Sequence, residues 1–138
     1  MDKLERLSFS IEKKLLGRFE KLFKQSGYEN RSEFIRDMIR EKIVSEEWEK
    51  NEEALGTITL VYSHHGNTLS KKLTSLQHKY HSAIMVSTHL HLDSHLCAET
   101  IIVKSKADTI REIRNMLASQ KGVYHASLSL SSTGKKLA

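Results

Sequence analysis

The stretch "SAIMVSTHLHLDSHLCAETIIVKS", residues 82–105, decides how the second half of the chain folds. It has two β-rich, apolar halves on either side of a polar Asp-Ser pair. The pattern predicts strands over 82–92 and 95–105 joined by a turn near Asp93 and Ser94. Working outward, helical spacing predicts helices at about 67–80 and 108–120. Further strands are predicted at "TITLVYSH" (57–64) and "VYHASLSLS" (123–131). Strand, helix, strand, strand, helix, strand is the ferredoxin-like, split βαβ order, and residues 82–105 are its central hairpin.

That hairpin carries His89, His91, His95 and Cys97, the only cysteine of the 138 residues. Side chains alternate along a strand, so His89 and His91 share one face while Leu90 and Leu92 take the other. Cys97 follows His91 by six residues across the turn, which can set it on the neighbouring strand at a cross-strand distance of about 5 Å. Imidazole and thiolate donors suit zinc, nickel or copper rather than magnesium or calcium. A fourth ligand is needed, and His78, in "LQHKYH" at the end of the preceding helix, is the candidate. Its own chain cannot deliver it, because His89 lies seven residues along a strand starting near 82, about 23 Å at roughly 3.3 Å per residue. If two domains pair about a twofold axis, the helix end of one meets the hairpin tip of the other, and metal binding requires assembly. All eight histidines follow residue 63; His64, His65, His81, His95 and His125 read as surface or turn residues.

The first half has different chemistry. "RLSFSI" (6–11) alternates, with Leu7, Phe9 and Ile11 on one face and Arg6, Ser8 and Ser10 on the other, as a half-buried strand does. Glu12 to Ser26 carries Leu15, Leu16, Phe19, Leu22 and Phe23 at helical spacing and stops at Gly27. A second helix opens at Asn30, with Glu33 three residues on in a capping-box pattern, and presents Phe34, Ile35, Met38, Ile39 and Ile43 on one stripe. A strand and two helices enclose too little interior to stand alone, so a partner chain is implied. "SEEWEKNEEALG" (45–56) reads as a solvated helix end and a linker, giving domains at 1–48 and 57–138 with a linker at 49–56.

Composition limits the function. The net charge of +5, from 22 Lys plus Arg against 17 Asp plus Glu, permits a polyanionic partner without demanding one. A single cysteine forms no internal disulfide, and no apolar run approaches the roughly 20 residues of a membrane span. With no signal peptide visible either, a cytoplasmic protein is expected.

The strand, the two helices and the "GYENRSEFIRD" junction resemble the ribbon-helix-helix DNA-binding proteins, over residues 5–44 or so. The resemblance implies that two chains pair their first strands into a ribbon that enters the major groove of double-stranded DNA. Arg6, Ser8 and Ser10 would then read bases, and the start of the second helix, Asn30, Arg31 and Ser32, would hold a phosphate.

Taken whole, with the histidine and cysteine spacing and the order of the two domains, the chain resembles the NikR-type nickel-responsive repressors. That resemblance implies an α+β protein with an N-terminal ribbon-helix-helix (βαα) and a C-terminal ferredoxin-like βαββαβ, ACT-like domain. It also implies a homotetramer, a dimer of dimers, that binds a palindromic operator and represses nickel uptake. One Ni(II) per subunit would sit in a planar site of three histidine nitrogens and one cysteine sulfur: His89, His91 and Cys97 of one chain and His78 of another. Tyr62, Gln77 and Glu99 would orient those ligands, and Glu33 and Asp37 would form a second, weaker cation site. Nickel itself is chosen by the resemblance; zinc or copper, or an amino-acid-like effector on the ACT-like domain, is the alternative reading. An enzyme is not expected, because four protein ligands leave a metal no open position and no His-Glu-x-x-His motif is present.

Overall fold

The computed structural model describes residues 3–64 and 68–138. The chain forms two compact units, Met1–Ile39 and Arg40–Ala138.

In the first unit, α1 (Lys13–Ser26) ends where Gly27 adopts φ 78°, a left-handed conformation that glycine takes without a Cβ penalty. Helix α2 (Arg31–Glu49) begins at the expected cap: Asn30 Oδ1 accepts the backbone N–H of Glu33 at 2.8 Å. Phe34 gathers Phe19, Phe23 and Tyr28 around it with ring centroids 5.4–5.8 Å apart. Even so, no residue among 3–39 is fully buried, and Leu7 and Phe9 keep 80% and 66% of their surface exposed. Residues 3–12 join no sheet, whereas the alternation of 6–11 predicts a strand. A strand is defined by its hydrogen-bonded neighbour, and the neighbour expected here belongs to a second chain.

The second unit is a four-stranded antiparallel sheet in the order β2-β3-β1-β4, built from β1 (Glu53–Ser63), β2 (Ile84–His91), β3 (Leu96–Lys106) and β4 (Val123–Ser131). Helices α3 (Thr68–His78) and α4 (Ala107–Ala118) form the two crossovers. This is the predicted βαββαβ order. Even-numbered residues of β1 (Ala54, Ile58, Leu60, Tyr62) and odd-numbered residues of β3 (Cys97, Ile101, Val103) point into the core. There they join Leu73 and Leu76 of α3 and Ile110, Ile113 and Leu117 of α4. Gly56 lies on the same stripe, where a Cβ would meet Ile110 Cγ2 at 2.7 Å, so β1 and α4 approach as closely as they do only because that position is bare.

The segment 49–56, expected to be a linker, is shorter and more ordered than its acidic composition predicts. Helix α2 continues to Glu49 and β1 already starts at Glu53. Trp48 is 1% exposed, its indole N–H donates to Ser131 O at 2.8 Å, and the Arg111 guanidinium lies over its ring. The acidic side chains hid this arrangement, because the inward stripe here is carried by the small residues Ala54 and Gly56, which give little hydrophobic signal. Among the described residues no helix is long and apolar enough to cross a membrane.

Candidate metal centre

The sheet register assembles the centre. His91 pairs with Cys97 and His89 with Glu99 across β2 and β3, while Tyr62 pairs with Cys97 across β1 and β3. Directly opposed residues of antiparallel strands share a face, so Tyr62, His89, His91, Cys97 and Glu99 form one stripe on the helix-covered side. The β2–β3 turn is closed by Asp93, whose Oδ1 accepts the N–H groups of His95 at 2.7 Å and Leu96 at 2.8 Å. Those donors hold its carboxyl below the usual range.

Within the stripe, Cys97 Sγ lies 3.5 Å from His91 Nδ1, and the rings of His89 and His91 are 4.9 Å apart. Cys97 is fully buried while both histidines are exposed, so a cation would approach from the histidine side. Burial, with Asp93 nearby, pushes the Cys97 thiol up. The Tyr62 hydroxyl sits 2.9 Å from His89 Nδ1. Burial first, then the charges of Glu99 and Cys97, pushes its phenol up to about 12, so Tyr62 is a neutral hydroxyl at physiological pH. When His89 offers its Nε2 lone pair outward, Nδ1 carries the proton and the Tyr62 oxygen accepts it, which fixes both tautomer and ring angle. Beneath the histidines, Glu99 Oε1 accepts from Gln77 Nε2 at 2.9 Å and from Ser87 Oγ at 2.6 Å. This buried network ties the last turn of α3, where Gln77 precedes His78, to strands β2 and β3.

His78 is the terminal residue of α3 and is exposed; it is not among the donors that converge around Cys97. The residue that sequence reasoning missed is His64. Its Nδ1 lies 3.1 Å from Cys97 Sγ, and the ligand atoms of His64, His91 and Cys97 all fall within 4.8 Å of one another. The signal was present: His64 continues the inward, even-numbered stripe of β1 one step past the strand end. Its position is fixed by its N–H donating to His95 O at 2.7 Å. His95 is in the turn, His81 Nδ1 donates to His78 O at 3.3 Å, His125 is exposed on β4, and His65 lies outside the described residues.

In the first unit Arg6, Ser8, Ser10 and Ser32 are exposed. Arg31 makes a two-pronged pair with Glu20, Nε to Oε1 at 2.9 Å and Nη2 to Oε2 at 2.7 Å, so a phosphate there would compete with that carboxylate. Glu33 pairs with Arg36, and Asp37 accepts the Tyr28 hydroxyl.

The thiol and imidazole donors fit a borderline or soft divalent ion and do not fit a hard one. Comparison with known proteins agrees. Residues 55–131 match the family model described as "NikR C terminal nickel binding domain", and residues 5–46 match that of "Ribbon-helix-helix protein, copG family". A protein of Pyrococcus horikoshii described as "Putative nickel-responsive regulator" is 50% identical over 135 residues, covering 97% of this chain and 98% of the other. A protein of Geobacter metallireducens with the same description is 45% identical over 138 residues, covering 99% of each chain. Among solved structures, an uncharacterized protein from Thermotoga maritima superposes with a TM-score of 0.52 at 16% identity, over 57% of this chain and 98% of the other, a likeness of fold alone.

Proposed function

The chain belongs to the NikR-type nickel-responsive regulators, and we propose that it is a repressor of nickel-uptake genes whose hold on operator DNA is set by nickel bound between subunits. The observation that carries this reading is the Cys97 sulfur 3.5 Å from His91 Nδ1 at the hairpin tip, with the His89 ring 4.9 Å from that of His91 and bonded to Tyr62 behind it.

His89, His91 and Cys97 of one chain and His78 of the partner subunit would hold one Ni(II) per subunit in a plane. Three imidazole nitrogens and one thiolate in that geometry suit nickel or copper, whereas zinc prefers a tetrahedron. Tyr62 orients His89, and the Gln77–Glu99 bond fixes the turn that presents His78. The exposed apolar side chains Leu7, Phe9 and Ile11 support pairing of two N-terminal segments, because no residue among 3–39 is fully buried in one chain. Pairing would turn Arg6, Ser8 and Ser10 outward as a ribbon for the major groove, with Asn30, Arg31 and Ser32 at the flanking phosphates. We take the molecule to be a cytoplasmic homotetramer, two DNA-binding dimers joined through the metal domains, so that two ribbons meet two half-sites of a palindrome. The division into a DNA-binding domain ending near 48 and a metal-binding domain from 57 belongs to the same reading. So does a second cation site at Glu33 and Asp37, where a cation would have to displace Arg36 and Tyr28.

Nickel would act by favouring the arrangement in which both ribbons can engage, and the coupling is reciprocal, so operator DNA should tighten nickel binding. Selection of the operator from random DNA with nickel, followed by affinity measurements with and without it, tests the reading. Removing nickel should weaken operator binding by about 100-fold, near the upper end of typical allosteric couplings. The His89→Ala, Cys97→Ala double variant should bind equally weakly in either condition. Operator affinity indifferent to both nickel and the double substitution overturns the proposal.

A further inference from the structure

Two ligand sets share His91 and Cys97. The first needs His89 and His78 of the partner subunit. The second is complete within one chain: His64 Nδ1 is 3.1 Å and His91 Nδ1 3.5 Å from Cys97 Sγ, and the His64 and His91 rings meet edge to face with centroids 4.8 Å apart. His64 is not there by the accident of a loose loop. Its N–H is bonded to His95 O and the preceding Ser63 N–H to Gly122 O, so the strand end is held on both sides. His89, by contrast, is directed onto the Tyr62 hydroxyl. The two sets cannot be filled together, since each requires the single Cys97 sulfur.

We propose that His64 is an entry ligand: with His91 and Cys97 it takes up a divalent cation within one subunit, and it is exchanged for His89 and His78 of the partner subunit as the planar site closes. This rests on the reading of the planar site given above. The chemistry suits the role. Two imidazoles and a thiolate would leave a tetrahedral ion one position for water or an incoming ligand. His64 and His91 are exposed and Cys97 is buried, so an ion arriving from solvent meets the histidines first and the sulfur last. A ligand that must leave again is best placed just beyond a strand end, as His64 is, rather than inside the sheet.

The test uses the full-length protein and its His64→Ala, His89→Ala and His64→Ala, His89→Ala variants. Stopped-flow absorbance follows the nickel–thiolate charge-transfer band. In His64→Ala the band should grow more slowly, by about tenfold, the change that roughly 1.4 kcal/mol of lost stabilisation on the entry path produces in a rate. Release to a chelator should slow in proportion, with the final spectrum and equilibrium affinity kept. Cobalt(II) is the second probe: His89→Ala should still give a tetrahedral cobalt–thiolate spectrum, and the double variant should lose it. An unchanged rate of band growth, loss of the final nickel spectrum in His64→Ala, or a cobalt spectrum that survives in the double variant would each overturn the proposal. Failure of the planar-site reading looks different: the unmodified protein would give no planar nickel–thiolate band, while the cobalt comparison would still report on His64.

Discussion

Replacing Tyr62 by phenylalanine separates the work of its hydroxyl from the work of its ring. The ring is 1% exposed in the core beneath the hairpin, and Tyr62→Phe keeps it there with almost unchanged volume. What is lost is the hydrogen bond between the hydroxyl and His89 Nδ1 at 2.9 Å, together with the one it makes with the Ser70 side chain. Because His89 is exposed, water can satisfy that nitrogen, so the fold should lose no more than about 1 kcal/mol, the net worth of an ordinary hydrogen bond. The metal should feel much more. Removing a partner that orients a metal-bound histidine typically costs about 10–100-fold in affinity, or roughly 1.4–2.8 kcal/mol. Nickel affinity would be read by competition with a chromophoric chelator, and stability by thermal unfolding of the metal-free protein. An alkaline control follows from the same group. The folded phenol is raised to about 12 from its ordinary 10, so the folded state keeps its proton where the unfolded state has lost it. Stability is therefore full below pH 10 and falls as pH rises from 10 towards 12, and Tyr62→Phe should flatten that fall. A nickel affinity within twofold of the parent, with the metal-free fold intact, would refute the assignment of Tyr62 as an orienting residue.

Two further outcomes follow from buried side chains. The Cys97 thiol is pushed up by burial in the metal-free fold, and a metal requires its thiolate. Each nickel should then release a proton, and affinity should rise by up to about tenfold per pH unit below the thiol pKa. Calorimetry in two buffers of different ionisation enthalpy measures the released proton, and heats that do not depend on the buffer would contradict it. Trp48→Ala should cost the second unit about 3–5 kcal/mol, the usual range for emptying a buried aromatic site, since the indole is 1% exposed and bonded to Ser131 O. Denaturant unfolding checks it, and a loss below about 1 kcal/mol would mean that the last turn of α2 contributes little to that core.

Most of the second unit could be read from the sequence because its signals were local. The two halves of residues 82–105 declare their strands by period and composition; in the first unit, Gly27 and Asn30 likewise mark one helix end and the next start. The expected donors His89, His91 and Cys97 came from the same alternation. Three features were not legible, each for a physical reason. The first turn of β1 was hidden because its inward residues, Ala54 and Gly56, are small, and acidic residues stand beside them. The strand over 6–11 has a clear pattern, but pairing is not a property of one chain. His64 closed the predicted strand 57–64 yet was read as a surface residue, because alternation gives the face a residue takes and not which strand pairs beside it; here its N–H bonds His95 O, which sets it next to Cys97.

The same alternation that sets His89 and His91 on the covered face turns Leu90 and Leu92 to the other, and these two are 50% and 53% exposed; Val86, further along the strand, is 47% exposed. Fully burying a side chain of this kind stabilises by about 1.5–3 kcal/mol, so covering the exposed half of each contributes roughly 1 kcal/mol. If two copies faced each other there, three such residues from each, together with Leu7, Phe9 and Ile11 in a paired ribbon, would give assembly an apolar driving force independent of metal. The coupling of nickel to DNA binding, typically about 1–3 kcal/mol, need not be what joins the subunits. It is large enough to choose between arrangements of subunits already joined. On that argument the metal-free protein should have the same subunit number as the nickel form, with nickel changing its affinity for DNA rather than its mass. Equilibrium sedimentation with and without nickel decides the point. A metal-free monomer at micromolar concentration would mean that the exposed Leu90 and Leu92 face has some other use.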